Sequence, residues 1–131
     1  MSQQFHKNGK DTSYGRVFRH ENGLVCIYLA DGVSLNLQKA QTLVEDVRAI
    51  DNSGKARLLV VQGVDNDLSF EAQRFLGTTK GLTHLALVVH SRFQTEVAQI
   101  FVKLINLLNS SYEMRVFHRE KEAETWLLSK S

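Results

Sequence analysis

The sequence predicts an α/β fold: one domain with a mostly parallel five-stranded sheet, an antiparallel hairpin at its N-terminal edge and about four helices. Two apolar runs, at 57–62 and 85–90, are each followed by a serine, Ser69 or Ser91, that opens a helical pattern. This strand-then-helix order is typical of parallel strands joined by right-handed crossovers. An Asn-Gly pair at 22–23 between two apolar stretches is the strongest short signal for a hairpin.

The N-terminal part of the chain supplies the hairpin and the first helix. Residues 1–14 are polar and lack periodicity, so we predict a flexible arm there and a folded domain over 15–131. Strands are predicted at 16–20 and 24–29, on either side of the Asn-Gly turn. The first helix follows, with apolar positions at helical spacing at Leu37, Ala40, Val44, Val47 and Ile50.

The middle of the chain alternates strands with helices. Residues 57–62 form an apolar run that is too short for a helix and fits a central strand covered on both faces. A short helix is predicted from Ser69 to Gly77, because serine favours the first position and glycine the end of a helix. The remaining elements are a strand at 82–90, a long third helix, a strand at 112–117 and a helix at 120–130.

The third helix has the clearest pattern. Ser91 and Gln94 have the spacing of a capping box, which marks its start. Its apolar side chains recur every three or four residues, and we predict that all of them lie in the core. They are Phe93, Val97, Ile100, Phe101, Leu104, Leu107 and Leu108.

Composition narrows the function. A chain of 131 residues is one domain, and a formal charge of +2 does not predict a nucleic-acid partner, because phosphate binding needs Lys and Arg concentrated on one face. The single cysteine, Cys26, cannot form an intramolecular disulfide, which favours a reducing compartment. No apolar run approaches the ~20 residues of a membrane-spanning helix. We therefore expect a cytoplasmic protein without an integral membrane segment.

Few residues are arranged for catalysis. The five histidines lack metal-ligand spacing, and no glycine-rich phosphate loop occurs, so we expect no metal and no cofactor. His90 and Ser91 follow one strand, and Asp65 and Asp67 follow another, which leaves a small Ser-His-Asp hydrolase as one alternative. Because no Gly-x-Ser-x-Gly elbow accompanies a serine, we expect that the protein is not an enzyme.

Three stretches carry a family resemblance: residues 59–64 with 69–76, residues 85–93, and residues 115–117 with 122–127. They resemble STAS domains, small bacterial proteins such as the anti-sigma-factor antagonists. The resemblance implies a STAS-like fold and a non-enzymatic signalling domain that binds another protein. In some members a serine at the start of the helix after the central strand is phosphorylated.

Ser69 is the residue onto which that role carries over. The regulated antagonists have an Asp-Ser-Ser-Gly-like string at this point, and this chain reads Asp-Asn-Asp-Leu-Ser-Phe over 65–70, with one serine. Ser69 is thus the candidate for phosphorylation. The other interpretation of Ser69 is a plain helix cap.

The resulting prediction is a protein-interaction surface where the two serine-headed helices begin. One alternative is carriage of a small apolar ligand between sheet and helices, with the third helix lining the cavity, as in the related lipid-transfer fold. The uncovered hairpin edge would also permit a homodimer. The predicted contact residues are Asp65, Asp67, Ser69, Phe70, Arg74, His90, Ser91, Arg92 and Phe93.

Overall fold

A computed structural model describes residues 9–108 and 111–130, with only the backbone of Asn106. It confirms the α/β class, with four helices and a mostly parallel sheet that carries an antiparallel hairpin at its N-terminal side. The strands in chain order are β1 (Lys10–Asp11), β2 (Gly15–Arg19), β3 (Val25–Leu29), β4 (Ser34–Leu35), β5 (Ala56–Val61), β6 (Asp67–Leu68), β7 (Leu82–Val88) and β8 (Glu113–Phe117). The helices are α1 (Leu37–Ile50), α2 (Phe70–Thr78), α3 (Arg92–Leu107) and α4 (Glu120–Leu128).

The main sheet has six strands in the order β1-β2-β3-β5-β7-β8, one more than expected. The first three are antiparallel, and the pairs from β3 onward are parallel. Two short strands, β4 and β6, pair separately above the carboxyl edge. Because strand order follows chain order, successive right-handed crossovers return along the same face of the sheet.

Each face of the sheet has its own core. Helices α1, α2 and α3 cover one face, where Val44, Leu58 and Phe101 belong to the same buried cluster. Helix α4 covers the other face through Ala123, Trp126 and Leu127. Cys26 lies buried in the same cluster as these side chains. No helix in the described ranges has the length and apolar character needed to cross a bilayer.

The N-terminal segment differs from the prediction. Tyr14 is fully buried, and its hydroxyl donates to Asp46 Oδ2 of α1 at 2.8 Å. The ammonium of Lys10 lies 3.1 Å from the other oxygen of Asp46. Within the predicted arm, residues 10–14 thus contact the fold through a short strand pair and one buried aromatic side chain, neither of which periodicity reveals. Residues 1–8 lie outside the described part.

The third helix also differs. Phe101 is buried and Leu104 and Leu108 are partly buried, but Phe93 is 73% exposed, Ile100 65% and Leu107 80%. The buried side chains of α3 are Ala98, Phe101 and Ile105, and Val102 and Leu104 pack partly buried against the same core. The prediction of a wholly buried apolar set is therefore wrong, because spacing shows which side of a helix is apolar and not what covers it.

Candidate functional site

The structure brings the two predicted contact segments together. Strands β5 and β7 are parallel neighbours, so the segments that follow them leave the sheet at the same edge. Gln94 joins them, since its Nε2 donates to the Gly63 carbonyl at 2.8 Å and its Oε1 accepts from the His90 backbone N–H at 2.8 Å. We call the surface formed by the predicted contact residues the rim. All of them are exposed except the half-buried Ser69: Asp65, Asp67, Ser69, Phe70, Arg74, His90, Ser91, Arg92 and Phe93.

The loop after β5 is held by side-chain hydrogen bonds. Asn66 Oδ1 accepts from the Gly63 N–H at 2.7 Å, and Asn66 Nδ2 donates to the Ala30 carbonyl at 2.8 Å. Asp31 Oδ1 accepts from the Val64 N–H at 2.8 Å. Sequence reasoning missed Asn66, although its location in an Asp-Asn-Asp turn was a signal for side-chain bonding to the backbone. It singled out Gln94 as part of a capping box but did not predict the bond to Gly63.

Two carboxylates project from this loop. Asp65 is exposed and has a φ of 58°, a left-handed conformation that aspartate tolerates better than most residues. Asp67 is exposed in β6, where its backbone pairs with Ser34 of β4. Neither carboxylate forms an ion pair with another described residue, so both leave negative charge at the solvent face of the rim.

Ser69 caps α2. Its Oγ accepts from the Ala72 N–H at 3.1 Å, and its own N–H donates to the Leu35 carbonyl at 3.0 Å. The side chain is half-buried, and Glu71 lies in the first turn beside it. The structural role of Ser69 as a cap is therefore present in the fold.

Two aromatic side chains, Phe70 and Phe93, are exposed on the rim. Phe70 is 61% exposed, and the guanidinium of Arg74 lies over its ring at 6.0 Å from the centroid. Phe70, Arg74 and Gly77 share one side of α2, because they are spaced by four and three residues. A Cβ on Gly77 would lie 2.9 Å from Leu108 Cδ1, so this side of α2 faces α3.

At the start of α3, Ser91 caps the helix and is not part of a Ser-His-Asp triad. Ser91 Oγ accepts from the Gln94 N–H at 3.1 Å, while His90 and Arg92 are exposed. Within the described part of the chain, no hydrogen bond links the His90 ring to Ser91 or Ser69, and no three metal-ligating side chains gather. The predicted neighbours thus lie at one edge without forming a nucleophile–base pair.

An apolar cavity of about 110 Å³ lies behind the rim, between the sheet and helices α1–α3. Leu76 of α2 and Val97 and Phe101 of α3 line it, together with side chains of the sheet. Gln62, the residue after β5, also lines it, and its Oε1 is buried without a hydrogen-bond partner. Sequence reasoning did not single out Gln62.

These features define a small α/β protein with a sequentially ordered sheet, helices on both faces and polar loops gathered at one edge. Residues 18–130 match the family described as Domain of unknown function (DUF7793), so the chain belongs to that family. No curated protein and no solved structure matches the chain.

Proposed function

We propose that the protein is a STAS-like, non-enzymatic interaction domain that binds a partner protein through the rim. The observation that carries the proposal is the exposure of two aromatic and two cationic side chains on the rim: Phe70 with the Arg74 guanidinium over its ring, and Phe93 next to Arg92 in the sequence. Aromatic residues and arginine are enriched in the buried centres of protein interfaces. Such a surface suits a partner that presents apolar and acidic side chains.

Rigidity of the rim supports this function. Its loops are fixed by three side chains: Asn66 and Asp31 accept hydrogen bonds from backbone N–H groups, and Gln94 donates one to a backbone carbonyl. A preorganised surface loses less conformational entropy on association, so more of the contact energy appears as affinity.

Phosphorylation of Ser69 would control the contact by charge. A phosphate adds about −1.5 to −2 charge at neutral pH. Asp65, Asp67 and Glu71 already lie on the same corner, and together they would form an acidic surface around the helix start. An acidic partner drawn by Arg74 and Arg92 would then be repelled, which releases the complex.

The test uses two substitutions that share the cap but differ in charge. Ser69→Asn and Ser69→Asp both provide a capping oxygen, whereas Ser69→Ala removes it at a cost of about 1 kcal/mol. In quantitative pull-downs from the native cells, we expect the wild type and Ser69→Asn to retain the same partner protein. The amount of this protein retained by Ser69→Asp should be lower by about tenfold or more. Equal retention by Asn and Asp variants would exclude control by charge.

A second pair of variants tests the surface itself. Arg92→Glu, on the rim, should lose the same protein, while Lys121→Glu, exposed on α4 across the sheet, makes the same charge change elsewhere and should keep it. If Lys121→Glu and Arg92→Glu behave alike, the rim is not the contact surface. A phosphopeptide containing Ser69 from native cells would establish the modification directly.

The cavity favours a second candidate function, binding of a small apolar molecule with one hydrogen-bond donor. Its volume of about 110 Å³ is near the ~150 Å³ of an engineered apolar cavity that binds benzene, and well below the ~300 Å³ at which drug-sized pockets begin. The partnerless Gln62 Oε1 offers an acceptor in an otherwise mostly apolar wall. This geometry favours a single ring carrying a hydroxyl over a lipid chain.

Phenol and benzene make a matched pair of probes for this site. We expect phenol to bind about tenfold more tightly than benzene, as followed by NMR titration, because an added hydrogen bond to a buried acceptor contributes about 1 kcal/mol or more. Gln62→Leu keeps the side-chain size and should abolish the preference. Absence of binding of either probe at about 10 mM would contradict the candidate function. Native mass spectrometry of the purified protein would detect a retained ligand.

A further inference from the structure

Helix α3 presents an apolar stripe that the described part of the chain leaves mostly exposed. The stripe consists of Phe93, Val97, Ile100, Leu104 and Leu107, and all but the partly buried Leu104 are strongly exposed. Successive members are four, three, four and three residues apart, which is the spacing of a coiled-coil seam. Leu104 and Val97 form its inner border, since Leu104 also packs against the core and Val97 also lines the cavity, whereas Phe93, Ile100 and Leu107 point away from the core.

The stripe is symmetric about its central residue. Phe93 and Leu107 lie seven residues on either side of Ile100, and Val97 and Leu104 lie three and four residues on either side. A second α3 running in the opposite direction, related by a two-fold axis at Ile100, would therefore place Phe93 against Leu107 of the second copy. Ile100 would meet its own counterpart. Such self-complementarity is what a two-fold interface requires.

The charges beside the stripe follow the same symmetry. Glu96 and Lys103 are exposed on one flank of it, seven residues apart, and neither has an ion pair with another described residue. In the antiparallel arrangement each Glu96 faces Lys103 of the second copy, so two equivalent ion pairs form. A parallel pairing would instead bring these charges toward Phe101, which is occupied in the core.

We infer that the protein forms a homodimer through antiparallel pairing of α3 about Ile100. The stripe spans 14 residue steps, or about 21 Å of helix, and a helix is about 10 Å across. A contact of this length and width buries less than the ~800 Å² per partner of a stable standard complex. The dimer is therefore reversible and forms at micromolar or higher concentration. The predicted hairpin edge is a poorer candidate, because β1 already pairs with β2 there.

Sedimentation equilibrium of the full chain tests the dimer over about 1 μM to 1 mM. We expect concentration-dependent dimerisation of the wild type. Ile100→Lys would bring two ammonium groups together on the two-fold axis and should raise the dissociation constant at least about 100-fold. Leu128→Lys makes the same kind of change at an exposed leucine of α4 on the opposite face and should leave the dimer intact. Circular dichroism should show both variants folded.

Charge reversal tests the antiparallel register. Glu96→Lys and Lys103→Glu should each weaken the dimer about threefold to tenfold, and the double variant should restore it, because the reversed pairs attract again. Three outcomes would overturn the inference: a monomer at every concentration, a dimer insensitive to Ile100→Lys, or a double variant no tighter than the single ones. Phe93 belongs to both the stripe and the rim, but these readouts need no partner protein, so their failure is distinguishable from failure of the function proposed for the rim.

Discussion

Asn66 gives the rim its shape through one amide group. Its oxygen accepts from the Gly63 N–H, and its nitrogen donates to the Ala30 carbonyl, so the loops after β5 and β3 are fixed to each other. A backbone N–H on one side and a carbonyl on the other require a group that both accepts and donates, which aspartate at neutral pH does not provide. The amide therefore orders the loop that carries the rim carboxylates without adding charge.

Predictability at the residue scale depends on how far along the chain a partner lies. The caps at Ser69 and Ser91 bond to N–H groups three residues ahead, and both were predicted from local sequence. Gln94 bonds to Gly63, 31 residues away, and Asn66 bonds to Ala30, 36 residues away. No local pattern announces these bonds, because they depend on the order of strands in the sheet.

At the scale of elements, β1 and Tyr14 join the N-terminal segment to α1. Tyr14 is fully buried, and Gly15 follows it where a Cβ would collide with the Tyr28 carbonyl. A chain that begins at residue 15 should therefore be less stable than one that begins at residue 9, by about 3–5 kcal/mol, the usual cost of removing a buried aromatic side chain. Urea unfolding of the two chains measures the difference.

Tyr14→Ala in the chain that begins at residue 9 provides the control. It should account for most of the loss, because the β1 pairing involves only two residues in exposed positions. Equal unfolding midpoints for the chains that begin at 9 and 15 would show that the segment contributes nothing, as the sequence alone suggested.

Periodicity correctly predicted that α3 is a helix, but it did not predict which of its apolar side chains are buried. The apolar positions of α3 cover two adjoining sides, and only the side with Ala98, Phe101 and Ile105 meets the sheet. Three helices share one face of the sheet, so part of the apolar surface of α3 has no room against that face and remains uncovered. The candidate surfaces on α2 and α3 consist of apolar side chains for which the core has no space.

For the whole molecule, the two covered faces of the sheet place titratable groups away from water. Burial, with a hydrogen bond to Asp46, raises the pKa of Tyr14, and burial alone raises the pKa of Tyr112. Burial likewise raises the pKa of the Cys26 thiol to about 12. The hydrogen bond that adds to the effect of burial on Tyr14 comes from a carboxylate 32 residues away in sequence, so no local pattern predicts it.

These shifts predict alkaline destabilisation with a definite sign. In the unfolded chain tyrosine titrates near pH 10, whereas the raised pKa keeps Tyr14 and Tyr112 protonated in the folded protein. Their contribution to stability is thus complete below about pH 10 and falls by about 1.4 kcal/mol per tyrosine for each pH unit above it. Urea unfolding at pH 8 and pH 11 should show this loss, and Tyr14→Phe should make the loss smaller. A free energy of unfolding that does not change over this interval would mean that these hydroxyls titrate normally in the folded state.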